Sequence, residues 1–157
     1  MNPKTLVKII LYGGLLGGLL FVVFNFQAIS DWARLRNYQP PARVVKLADD
    51  TTMTGQTRRL FYVNHPDIGD KQKFNSHCRS TAEQTIVLGC YISNQGIFLL
   101  DVKEQRLNGV VEVTAAHEVL HAAYERLSDE EKSRVDKLIG QYFDQIKNQR
   151  IIDTVEN

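Results

Sequence analysis

Residues 113–128 read VTAAHEVLHAAYERLS. Around them Val110, Val113, Ala116, Leu120, Ala123 and Leu127 recur at intervals of three or four, so the spacing predicts a helix over residues 107–127 packed inside a domain. Within it His117 and His121 stand four residues apart, with Glu118 directly after the first. Residues i and i+4 of a helix lie above one another on one face, so both imidazoles reach a common point. Glu118 sits about 100° round the helix from His117, beside that point and not on it.

Two converging imidazoles form a candidate metal site, because each can offer a ring nitrogen at the roughly 2.0–2.1 Å that zinc takes. Zinc brings the pKa of a water it holds to about 7, and a neighbouring carboxylate can take the proton while the oxygen attacks a polarised carbonyl. This division of labour is the physical content of the H-E-x-x-H pattern, and it makes His117 and His121 the expected zinc ligands and Glu118 the expected general base. A purely structural histidine pair has no need of a glutamate set between its members in an otherwise uncharged run.

A catalytic zinc takes three protein ligands, and the third is not given by the motif. Glu125 is eight residues beyond His117, about 12 Å along the same helix, too far to share an ion with it. Ser128 and Glu131 have the spacing of a capping box, which starts a second helix expected over residues 129–149 and occupies Glu130 and Glu131 at its first turn. If that helix folds back antiparallel, Asp136 comes level with the histidines. Glu156 is the remaining late carboxylate, and a residue beyond Asn157 is the third option, on which the chain is a truncated part of a longer protein. Tyr124 shares the face of His121, and Thr114, one turn before His117, is expected to close a helix hydrogen bond or face a sheet. His65 and His77 are read as loop residues without a partner at ligand spacing.

The N-terminus differs from the rest. Residues 9–29, IILYGGLLGGLLFVVFNFQAI, carry no charge over about the 20 residues that cross a bilayer as a helix. An uncleaved anchor is expected over residues 1–30; a signal peptide cut after the small residues Ala28 and Ser30 is the alternative. Gly13, Gly14, Gly17 and Gly18 repeat at a spacing that would let two such helices pair as a homodimer. Trp32 and Tyr38 suit the headgroup zone, so residues 31–41 are read as a juxtamembrane linker ended by Pro40 and Pro41. A soluble domain follows over residues 42–157. Basic residues flank both ends of the apolar run, so the charge count does not orient it. Cys78 and Cys90 do: a lone pair of cysteines behind a membrane segment fits one disulfide in an oxidising compartment, worth about 3 kcal/mol by chain entropy, and places the domain outside the cytoplasm. Two reduced, buried cysteines are the alternative. A net charge of +1 with scattered basic residues leaves no stripe for nucleic acid.

Elsewhere ARVVKLADD reads as a short helix, TGQTRR as a turn, and residues 60–71 as a strand stopping at Pro66 and a loop at Gly69. Residues 85–92 and 96–102 read as a hairpin across Ser93, Asn94 and Gln95.

The helix VTAAHEVLHAA, with Thr114 and its uncharged neighbours, resembles the active helix of the zincin metallopeptidases. Together with LFYVNHP, FNSHC and VLGCYI, most of residues 40–140 resembles a group of bacterial membrane-anchored zincin-like proteins. AAYERL lacks the glycine turn of metzincins, so the gluzincin arrangement, with a glutamate from a later helix, is the one implied. The resemblance implies an α+β domain in which a short antiparallel sheet packs on the active helix and a following helix, and its edge strand, here residues 96–102, holds an extended substrate by main-chain hydrogen bonds. It implies a membrane-anchored, zinc-dependent peptidase acting on a peptide or protein substrate. The alternative is a non-catalytic envelope binding or assembly protein that keeps a degenerate form of the fold.

Overall fold

The computed structural model describes residues 3–78, 87–149 and 152. Thr85 and Ile86 of the expected hairpin, and Glu156, lie outside them. The chain is a mixed α+β protein with an apolar N-terminal helix and a three-stranded sheet.

Helix α1, Pro3–Leu35, is long and apolar enough to cross a membrane, a property that membrane spans and signal sequences share, and none of its apolar window is buried against the domain. It continues past the uncharged run as far as Leu35. There its end is docked: Asp31 is buried and accepts two hydrogen bonds from the Arg126 guanidinium, at 2.8 and 2.9 Å. His65 stacks on Tyr38 with ring centroids 4.3 Å apart, and its Nε2 lies 3.1 Å from the Arg34 carbonyl.

Helix α2, Ala42–Asp50, starts directly after Pro41 and turns Val44, Leu47 and Ala48 inward. Helix α3, Gly55–Val63, takes in both the expected turn and the beginning of the expected strand. Four apolar residues from Leu60 to Val63 are too few to separate a strand from a buried helical turn. Phe61 joins the core, Val63 is buried beside it, and the Asn64 side chain at the C-cap donates to the Leu60 carbonyl at 2.9 Å. Pro66 ends the helical path, and only then does the chain extend, as β1, Asp67–Gly69. Helix α4, Lys71–His77, is capped by Asp70, whose carboxylate accepts the Lys73 N–H. His77 is thus the last residue of a helix, not a loop residue, and it stacks on Phe98 at 4.0 Å.

Strands β2, Gly89–Ile92, and β3, Gly96–Leu100, form the expected hairpin. Asn94 takes a positive φ of 61° in its turn. Gly96, at φ 148°, lies where a Cβ would come within 2.5 Å of the Asn64 carbonyl oxygen, so a side chain is excluded on both counts. The sheet is mixed and not purely antiparallel, because β1 adds parallel to β3. The order β1-β3-β2 puts β3 in the centre, which corrects the reading of residues 96–102 as the edge strand. The edge beside the helix that carries His117 and His121 is β2.

Helix α5, Val110–Glu125, and helix α6, Asp129–Phe143, meet at the Ser128–Glu131 capping box. Both are shorter than the sequence implies. The buried stripe of α5 is Ala115, Glu118, Val119 and Ala122, whereas Val113 and Leu120, expected inside, are 70% and 67% exposed. Both faces of this helix are apolar, and the sheet takes the face with the smaller side chains because it packs close. Ala115 and Val119 join Val44, Leu47, Ala48, Phe61, Ile97 and Leu99 in one core. No residue of α6 is buried.

Two outcomes follow. Asp31→Ala leaves the partly buried Arg126 guanidinium without its carboxylate, so it should cost about 1 kcal/mol by denaturant titration and make the α1 junction sensitive to limited proteolysis. Asp101 accepts both Arg43 side-chain hydrogen bonds, which hold its carboxyl below the usual carboxylate range. A lowered folded-state pKa stabilises fully above the ordinary value and less as pH falls through the folded one. Asp101→Asn should therefore lower Tm at neutral pH and flatten its decline below about pH 4.

Candidate metal centre

One turn of α5 brings the three motif residues to a cavity of about 580 Å³, lined also by Gly89, Cys90 and Tyr91 of β2 and by Tyr124, Glu125 and Lys132. His117 and His121 are exposed on it. Their rings meet edge to face, with centroids 4.7 Å apart, and their Nε2 atoms are separated by 3.0 Å. Two nitrogens on one tetrahedral zinc at 2.0–2.1 Å stand about 3.3 Å apart, so the pair needs only a few tenths of an ångström to accept a shared ion. The donors fit zinc as two of its ligands.

Glu118 is turned the other way, toward the sheet, and is only 5% exposed. A buried carboxylate needs a donor. It has one in the backbone N–H of Tyr91. Burial raises its pKa above the ordinary carboxylate value, and the two imidazoles and the Tyr91 N–H act in the opposite direction. Its place depends on Gly89: a Cβ there would lie 2.4 Å from Thr114 Cγ2 and 3.0 Å from Glu118 Cγ and Oε1. Thr114 in turn donates to the Val110 carbonyl at 2.7 Å, one of the two roles expected of it.

The outer edge of β2 borders the same cavity. The Leu100 N–H donates to Leu88, and the register pairs Cys90 with Phe98 and Ile92 with Gly96. Main-chain groups of Cys90 and Ile92 therefore face β3, while those of Gly89 and Tyr91 face outward, to an edge that no described strand covers and where Glu118 takes the Tyr91 N–H.

The other candidates are accounted for one by one. Tyr124 donates to both carboxylate oxygens of Asp136, at 2.8 and 3.0 Å, which ties α6 back to α5. Glu125 accepts hydrogen bonds from the Tyr91 and Ser93 hydroxyls. Ser93 and then Tyr91 lower its pKa, while burial first and Glu125 second push the Tyr91 phenol up to about 12. His65 and His77 stand away from the motif. Among the described residues no three His, Cys, Asp or Glu side chains gather at one point. Cys78 and Cys90 are at disulfide distance, with Cα atoms 5.9 Å apart, tying the end of α4 to β2. A second cavity, of about 490 Å³, opens on the far side of the histidines and is walled by Leu120, Ala123, Tyr124, Leu127, Val135 and Ile139.

Sequence reasoning missed Gly89 and Tyr91, and weighed Glu125 only as a ligand, not as the acceptor for Tyr91 and Ser93. The first two lie more than 25 residues before the motif, and no local pattern links them to it. Comparison with family models, with curated proteins and with solved structures returns no match to this chain.

Gly89→Ala should cost about 1–3 kcal/mol in denaturant unfolding, because Thr114 and Glu118 must give way. Adding Thr114→Ser removes the methyl group at 2.4 Å and should recover part of that loss; a double variant no more stable than Gly89→Ala alone would contradict the packing described.

Proposed function

We propose that the chain is a zinc-dependent peptidase of the zincin type, anchored in a membrane by α1 with its domain on the extracytoplasmic side. The observation that carries this reading is the facing pair of Nε2 atoms 3.0 Å apart, with the Glu118 carboxylate on the adjoining side of the same helical turn. His117 and His121 hold the ion. Asp136 and Glu156 are the candidates for the third ligand. Zinc bound there supplies Lewis acidity, polarising a peptide carbonyl and making a nearby water acidic.

The chain's own residues do the rest. Glu118 takes a proton from water as general base and returns it to the leaving amine. The Tyr91 N–H fixes the orientation of that carboxylate. An extended peptide adds to the outer edge of β2, where the main-chain groups of Gly89 and the Tyr91 carbonyl face outward, and the apolar cavity behind the histidines receives a hydrophobic side chain. A disulfide between Cys78 and Cys90 holds that edge strand in an oxidising compartment. The alternative is a non-catalytic envelope binding protein, favoured by the lack of a third ligand among the described residues.

Two measurements decide between these readings. Glu118→Gln should lower cleavage of a mixed peptide library by at least about 100-fold with zinc content unchanged. Library cleavage that persists in the variant rejects the mechanism. Elemental analysis after purification without added metal should find zinc near one per chain, and its absence favours the binding protein.

A further inference from the structure

A separate cavity of about 310 Å³ lies where α1 meets the domain. Phe26, Gln27, Ser30, Asp31 and Arg34 line it from α1, Asn64 and Asn94 from the domain, and it shares Tyr91 and Glu125 with the cavity of the histidines. The two adjoin at the Tyr91–Glu125 contact, and a chain crossing that contact would run along one groove from the end of the apolar helix to His117 and His121. Its walls near α1 are polar, which suits the main-chain N–H and C=O groups of an extended polypeptide.

One end of this groove is fixed. Asp31, two residues past Ile29 at the end of the uncharged run, is clamped to Arg126. Arg126 is five residues beyond His121 and nine beyond His117. At 1.5 Å per residue the histidines stand about 8–14 Å along α5 from the clamp.

We propose that the substrate is the juxtamembrane stretch of a polypeptide anchored in the same membrane, which leaves the bilayer beside α1 and follows the groove to the histidines. This rests on the peptidase reading. With α1 in a bilayer, a chain entering at the α1 end comes from the membrane surface, and a freely diffusing peptide has no need of that end. A path that starts at the span and ends at the fixed histidines places the cut at a constant distance from the end of the substrate's span, whatever its sequence.

The test uses the full chain in phospholipid nanodiscs. Two probes are synthetic peptides with one mixed 15-residue stretch, either attached to a 20-residue Leu/Ala span or detached from it; a third has ten polar residues inserted after the span. Gln27→p-benzoylphenylalanine in the Glu118→Gln background reads occupancy by photo-crosslinking, and the native chain reads cutting. The spanning probe should cross-link at least about tenfold more than the detached one. The cut should keep its distance from the span when the spacer is inserted, moving off the original sequence. Cross-linking without cutting keeps the groove and rejects the peptidase reading. Equal cutting of attached and detached probes keeps the peptidase and overturns the proposal. So do a cut that follows the sequence through the insertion, cross-linking to phospholipid in place of peptide, and no peptide cross-link at all.

Discussion

The geometry of the site depends on one close approach, that of β2 to α5 at Gly89. Without a side chain there, Thr114 and Glu118 come within contact of the strand's backbone, and the buried Glu118 carboxylate meets the Tyr91 N–H. That contact sets the rotation of α5. With Glu118 turned to the sheet, Ala115, Val119 and Ala122 pack inward, and His117, Leu120 and His121 are left facing out. A larger residue at position 89 would push the helix away and separate the glutamate from the strand edge it borders.

The parts of the fold written in local chemistry were legible. Pro41 marks the start of α2, Ser128 and Glu131 mark the start of α6, and the Ser93–Gln95 turn joins the hairpin strands. The closeness of His117, Glu118 and His121 follows from helical period alone. The parts set by tertiary context were not legible. Leu60 to Val63 is apolar enough for either a strand or a buried helix, and packing against the core made it helix. The three residues of β1 carry no pattern, so the pairing that makes β3 central could not be foreseen. On α5 the larger apolar residues pointed to the wrong face, because a tightly packed sheet selects small side chains and leaves Val113 and Leu120 outside.

Long-range ties hold the pieces of the site in register. The Cys78–Cys90 pair joins the end of α4 to β2, and His77 stacks on Phe98 of the neighbouring strand. Asp31 and Arg126, 95 residues apart in sequence, fix the C-terminal end of α5 to α1. Tyr91 serves twice, its N–H on Glu118 and its hydroxyl on Glu125. The histidines thus sit on a helix held at both its strand contact and its C-terminal end, which gives them a defined position relative to α1. Helix α6, with no buried residue, is held at its start by the capping box and by the bond from Tyr124 to Asp136.

The central claim is that His117 and His121 grip a single ion through the two nitrogens that face each other. Zinc titration of the full chain, followed by nitrogen NMR of ¹⁵N-labelled histidine, tests it most directly. The account predicts that the Nε2 resonances of both residues shift together and saturate at one zinc per chain, with those of His65 and His77 unmoved. Saturation with only one of the pair shifted, or with neither, would contradict it.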